Sequence, residues 1–341
     1  MQNESKKEKN MKKNPMQAKK WGVMCHYLES NQNNPFRLVN EGAGVKTWDE
    51  HVNAFDVEKL ARELYEMHAG YFMITLCQRS PYIIAPNATY DKLSGYPAGF
   101  ICSKRDLVLD IYEALKKYDI DLYLYVPADG PYGEKSVALD FGITYDRYGG
   151  FKTNETFIRN WADVIKEYAI RYKGKVKGWW IDGCYTHVGF THENLKIFYD
   201  VIKEVDENYM VAFNDGKTVT EQLVEQKENP KIYAWCPYED YTAGETVFCN
   251  VYPKDSDIGD KQWHILLPIA GHDGLAWGAP KEIAYEKEFF AKYFNEVLEQ
   301  GGAFSIDVAL TRSGGFFENQ RNFIKEVVEN SNWWKNGKSG K

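Results

Sequence analysis

The clearest chemistry in this chain lies in two carboxylates set in aromatic surroundings. Asp182 closes the run Val176-Lys177-Gly178-Trp179-Trp180-Ile181-Asp182-Gly183, a nearly continuous apolar stretch that ends in one acid and a glycine. Such runs are buried strands of parallel sheets, and in a barrel of such strands the reactive residues sit where a strand meets its following loop. An Asp-Gly pair also shapes turns and precedes helices, here the one starting near Thr191. The tryptophans favour chemistry, because indole rings brought up to a carboxylate form the stacking wall of a sugar site. Glu245 is the second acid, on a loop between Tyr241 and Phe248, where a long side chain can reach a leaving oxygen and be desolvated. From composition alone it reads first as a solvated loop glutamate. Two carboxylates on different strands, one ionised and one held protonated, are what cleavage of a glycosidic bond requires.

The elements that must position these acids follow from hydrophobic period. Eight strand candidates run Trp21 to Leu28, Tyr71 to Gln78, Leu122 to Pro127, Val176 to Asp182, Tyr209 to Asn214, Ile232 to Pro237, Trp263 to Ile269 and Ala303 to Leu310. Helical spacing follows at Val57 to Met67, Lys104 to Tyr118, Asn154 to Tyr172, His192 to Glu204, Thr218 to Gln226, Pro280 to Glu299 and Phe317 to Glu329. Alternating strands and helices imply an α/β fold with a parallel sheet, and eight units imply closure into a single-domain (β/α)8 barrel over residues 21–330. No GxGxxG or GxxxxGK[ST] follows a strand, so an open nucleotide-binding sheet loses its main support.

If the barrel closes, its strand ends deliver Cys25 and His26, then Gln78, Arg79 and Ser80, then Tyr125 and Asp129, Asp182, and Asn214 with Asp215. The sixth unit gives Glu239, Asp240 and Glu245, the seventh His272, Asp273 and Trp277, and the eighth Asp307. His26, His187, His264 and His272 lack HxH or HExxH spacing, so no metal site is expected, and no GxSxG marks a serine nucleophile.

Composition sets the remaining bounds. Of 341 residues, 44% are hydrophobic and 15% aromatic, enough for a large core, with ten tryptophans and 24 tyrosines suited to sugar contacts and to packing alike. A net charge of −7 without an internal basic block excludes a nucleic-acid partner as the expectation. Residues 1–20 are rich in Lys, Asn and Gln and read as a disordered polar leader, not a signal peptide. Residues 331–341 read as a tail with a packed turn at Trp333 and Trp334. No segment is apolar enough for a membrane span. The six cysteines form no CxxC pair, which points to a reducing, cytoplasmic setting, or to export if a signal has been removed.

The pattern resembles the retaining α-L-fucosidases of glycoside hydrolase family 29, from about Trp21 to Phe317. Trp21-Gly22-Val23-Met24-Cys25-His26-Tyr27 is similar to that family's first strand, Trp180-Ile181-Asp182-Gly183 to its nucleophile strand, and Asp240-Tyr241-Thr242 with Glu245 to its acidic loop. Trp277-Gly278 and Gly301-Gly302-Ala303-Phe304 fall in place of its later motifs. The resemblance implies a retaining exo-hydrolase of terminal α-linked fucose or a related sugar, with no organic cofactor. Asp182 would be the nucleophile and Glu245 the acid/base. His26, Gln78, Arg79, Tyr125, Trp180, Asp215 and Trp277 would surround the sugar of an oligosaccharide or glycoconjugate. Departures are Gln78 and Arg79 in place of a His-His pair, Lys217 in place of an arginine, and His264 in place of a glutamate. A barrel that binds carbohydrate without hydrolysing it is the alternative. A retaining pair requires carboxyls about 5–5.5 Å apart.

Overall fold

The structure is a computed structural model and describes residues 15–29, 47–253, 258–271, 277–278 and 282–338. Its strands in chain order are β1 (Trp21–Cys25), β2 (Tyr71–Thr75), β3 (Asp121–Pro127), β4 (Thr144–Tyr145), β5 (Phe151–Lys152), β6 (Val176–Asp182), β7 (Met210–Phe213), β8 (His264–Pro268) and β9 (Ala303–Val308). Seven of them form one parallel sheet in the order β7-β6-β3-β2-β1-β9-β8, curled into a half-barrel with helices outside, while β4 and β5 make a small antiparallel hairpin. The α/β barrel architecture read from the sequence is therefore the one observed.

Strand continuity in apolar residues has a direct cause, since both faces of the sheet are covered. On β6, Trp179 points outward, its ring centroid 6.0 Å from Tyr209, and Trp180 points into the barrel. The interior is filled by Met24, Tyr71, Met73, Tyr123, Tyr125 and Trp180. Outer helices dock by one face. Leu107–Lys116 buries Leu107, Val108, Ile111, Ala114 and Leu115, and its start is capped by Asp106, which accepts from Leu109 N.

The sixth unit differs from expectation. Residues 232–237 are irregular, with Pro230 and Pro237 bracketing them without backbone donors, and they contact the helix Lys217–Leu223 through Tyr233, whose hydroxyl donates to Glu221 Oε1. Residues 240–246 take the place between β7 and β8 instead. Asp240 N donates to Val211 O at 2.8 Å, Leu266 N to Gly244 O at 2.9 Å and Thr246 N to Leu266 O at 2.9 Å. Side chains complete the attachment: Trp180 Nε1 donates to Ala243 O, and Tyr241 Oη to Trp179 O.

His264, the apparent replacement for a glutamate, belongs to this closure. Its Nδ1 lies 3.1–3.2 Å from the carbonyls of Thr242 and Ala243, so it carries the proton there, and Nε2 meets Ser305 Oγ at 2.8 Å. Ser305 in turn pairs with Tyr71 Oη. Burial pushes the imidazole down to about 4, which keeps it neutral in a satisfied polar chain across the barrel floor.

Parts of both chain ends lie within the described residues and are helical. Residues 15–19 of the supposed leader form the helix Pro15–Lys19, because Met16 buries its side chain in the barrel interior, and 1–14 lie outside the described residues. The expected terminal turn is the helix Asn332–Lys338, with Trp334 stacked 3.8 Å from His68, and 339–341 lie outside the described residues. The seventh outer helix starts at Lys287, and residues 280–281 of its expected start also lie outside. No helix among the described residues is long and apolar enough to cross a membrane. The six cysteines are buried free thiols.

Gly244 fixes the height of the sixth unit. Its φ is +67°, and a Cβ there would meet His264 O at 1.8 Å, so only glycine allows this approach. Gly244→Ala is expected to destabilise the fold by on the order of 3 kcal/mol or more. Denaturant titration checks this, and a loss below about 1 kcal/mol would contradict the close approach.

Candidate active site

The strand ends open into a cavity of about 450 Å³ whose lining includes Asp182, Glu245, Asp215, Asp129, Arg79 and Trp277. β6 and β7 pair with Ile181 opposite Phe213, so the next residues, Asp182 and Asn214, emerge side by side. Asn214 Nδ2 donates to Asp182 Oδ1 at 2.7 Å and to Glu245 Oε2 at 2.7 Å. One nitrogen thus holds both acids, and their bonded oxygens are no more than twice 2.7 Å apart. The amide is oriented by its other end, since Gly216 N donates to Asn214 Oδ1 at 3.1 Å. Tyr125 Oη supplies a second donor to Asp182, on Oδ2 at 2.5 Å.

The electrostatics separate the two acids. Burial, then the charge of Asp182, holds the Glu245 carboxyl well above the usual glutamate range, and the Asn214 hydrogen bond offsets only part of this. Glu245 is therefore a proton carrier at neutral pH. Asp182 keeps two hydrogen-bond donors on its oxygens. Burial first and Asp182 second raise Tyr125, which keeps the phenol protonated as a donor. Asp129, at the end of β3, is raised in the same way by burial and then Asp182, and the Arg79 charge opposes the shift. Its carboxyl lies against Gly183, whose φ is +73° and where a Cβ would approach Asp129 Oδ2 to 3.0 Å.

The remaining expected residues fall into two groups. Gln78, Arg79, Tyr125, Asp215 and Trp277 line the cavity. Asp215 is raised by burial, and its Oδ1 accepts from Lys217 N. His26 and Trp180 stand behind Tyr125. The His26 ring meets Tyr125 edge-on at 5.6 Å, and Trp180 stacks on it at 5.3 Å. Trp180 is only 2% exposed and is held by Ala243, so it backs the site and offers no open face to a sugar. His26 Nδ1 pairs with Asp307 Oδ2 at 3.0 Å, and Asp307 also accepts from Gly278 N beside Trp277. Lys217 is directed to the Tyr233 ring, 4.1 Å away. His272 and Asp273 lie outside the described residues. No group of three or more His, Cys, Asp or Glu among the described residues is arranged to hold a metal ion.

Asn214, Tyr132 and Tyr185 had no assigned role in the sequence. The signal for Asn214 was present, since Val211-Ala212-Phe213-Asn214-Asp215-Gly216 repeats the apolar run, polar residue and glycine of the Asp182 strand. Tyr132 and Tyr185 lie in loops without period, where nothing in the sequence marks which aromatics face the cavity.

A curled parallel sheet with paired acids at its strand ends defines an α/β barrel like those of glycoside hydrolases. Residues 58–233 match the family model of the endo-alpha(1,4)-fucoidanase Mef1, and the chain belongs to that family. No curated protein matches it in sequence. Among solved structures it is similar to an endo-fucoidan hydrolase of glycoside hydrolase family 107, with a TM-score of 0.63, 14% identity and 92% of each chain covered. It is also similar to an α-L-fucosidase of family 29 from Bacteroides thetaiotaomicron, with a TM-score of 0.58 and 16% identity over 93% of this chain and 73% of that one. A third likeness is to a mutant of the α-L-fucosidase AlfC, with a TM-score of 0.59 and 15% identity over 96% of this chain and all of that one. At these identities the structural likenesses show the fold.

Asn214→Ala removes a donor from both acids. If the pair acts together, kcat/KM falls roughly ten- to a hundredfold, the scale of a hydrogen bond to a charged group. The amide lowers the pKa of Glu245, so its loss moves the alkaline limb of the pH–rate profile to higher pH. An unmoved limb would show that the amide does not act on the proton carrier.

Proposed function

We propose that this protein hydrolyses α-linked fucosyl bonds by double displacement, with Asp182 as nucleophile and Glu245 as acid/base. The observation that carries the reading is the Asn214 amide bonded to both carboxylates, which keeps their oxygens within the roughly 5–5.5 Å spacing of retaining pairs. In the first step an Asp182 oxygen bonds to the anomeric carbon while the bond to the leaving oxygen breaks, and Glu245 gives that oxygen its proton. In the second, ionised Glu245 takes a proton from water as the water oxygen bonds to the anomeric carbon. Asp182 departs as a carboxylate, and both acids return to their starting states. A raised Glu245 pKa suits the first step, because the acid must hold its proton until the leaving oxygen needs it.

Tyr125 and Asn214 hold the nucleophile on the side facing the cavity. Gln78, Arg79 and Asp215, which line the cavity, would hydrogen-bond sugar hydroxyls, Trp277 would cover an apolar face of the ring, and His26 would support Tyr125 from behind. The family match supports cleavage within a fucan chain in preference to removal of a terminal fucose.

The test is digestion of an α(1,4)-linked fucan by wild type and by Asp182→Ala. Wild type is expected to shorten the chains into a spread of oligosaccharides and to form products whose new reducing ends are initially α. Asp182→Ala is expected to lose roughly a thousandfold or more in rate. Initial β products would contradict double displacement, and release of fucose alone would contradict internal cleavage.

A further inference from the structure

A second pocket adjoins the first across a thin wall. It encloses about 160 Å³ and is lined by Ser80, Tyr82, Tyr96, Phe100, Glu29 and Glu134, among others. The wall is made where two loops touch. Gly133 N donates to Arg79 O at 3.0 Å, and Arg79 lies over the Tyr132 ring at 5.4 Å, so Arg79 and Tyr132 face the catalytic cavity while Ser80 and Gly133 face the second pocket. Arg79 is held there at φ +58°, a conformation that non-glycine residues adopt rarely and that gathers at ligand sites.

The contents of this pocket match one ligand class. Phe100 is 59% exposed, and its ring stacks on Tyr96 at 5.1 Å with an interplanar angle of 3°, which makes a flat apolar platform open to solvent. What sets Phe100 apart from a lone exposed side chain is that it and Tyr96 stack together in the lining of a pocket beside the catalytic cavity. Beside the platform stand Glu29 and Glu134, whose charges act on the Tyr82 phenol. An aromatic face beside hydrogen-bond acceptors is the arrangement that receives a sugar ring, with its C–H face on the platform and its hydroxyls donating to carboxylates.

We infer that this pocket is a second saccharide subsite, which holds a neighbouring sugar unit of the chain whose fucosyl residue sits at Asp182. The inference rests on the proposed carbohydrate reading of the catalytic cavity. It also supplies a reason for chain-internal action, because a substrate spanning the Arg79–Tyr132 wall must have at least one unit beyond the reacting one.

The experiment is a titration of α(1,4)-linked fucotetraose into Asp182→Asn, with and without Phe100→Ala, beside L-fucose followed by ligand-observed NMR. Phe100→Ala is expected to weaken tetrasaccharide binding about tenfold and leave L-fucose unchanged, and Phe100→Trp is expected to restore the tetrasaccharide affinity. Tetrasaccharide binding that ignores Phe100, that weakens together with L-fucose binding, or that is absent would overturn the subsite. Because binding is read without turnover, a Phe100-dependent loss in a chain that cleaves no fucan would keep the subsite and reject the hydrolytic reading.

Discussion

One amide group organises the site. Asn214 Nδ2 has two hydrogens, and both are spent on the carboxyl groups of Asp182 and Glu245. For this to work, β6 and β7 must be in register to bring Asp182 and Asn214 together, and the segment that closes the barrel must present Glu245 at the same height. Gly216 then has to occupy the oxygen of the amide, so that the nitrogen is the end that faces the acids. A slip of one residue in either strand would send these side chains to the outer face of the sheet.

The rest of the barrel serves this arrangement through rigidity and charge. Trp180 stacks on Tyr125 and His26 meets it edge-on, which fixes the ring that donates its hydroxyl to Asp182. Asp307 does similar work for His26, tying it to the backbone that carries Trp277. The cavity gathers four acids, Asp129, Asp182, Asp215 and Glu245, with Arg79 as the guanidinium among them. Burial first, and then the neighbouring charge of Asp182, raise Glu245 and keep its carboxyl protonated near neutral pH.

Much of this was legible in the sequence where local pattern and tertiary role coincide. β6 was readable to its last residue, because a strand buried on both faces must be apolar and must stop where its acid meets solvent. Asp182 followed from that end point, and Glu245 from its aromatic loop. The sixth unit was misplaced because 240–246 has no apolar run of its own. Its position depends on Gly244, on the Trp180 and Tyr241 side chains and on the edges of β7 and β8, none of which leaves a periodic signal. Trp180 was read as a sugar platform because sequence places it next to Asp182. Alternation turns it into the barrel, where its N–H is needed by Ala243. Composition left residues 15–19 unmarked, because a single methionine, Met16, packs into the barrel interior and anchors the short helix before β1. Resemblance to fucosidases led to the right kind of barrel, and the family model that matches the chain is that of an endo-alpha(1,4)-fucoidanase.

The central claim is that Asp182 forms a bond to the sugar, and trapping that bond tests it most directly. The chain would be incubated with a 2-deoxy-2-fluoro-fucosyl fluoride, extended by one fucosyl unit if the monosaccharide does not react, then digested and mapped by mass spectrometry. The account predicts one added fluoroglycosyl group on the peptide that contains Asp182, and none in Asp182→Ala. A label on another carboxylate, such as Asp129 or Glu245, would contradict it.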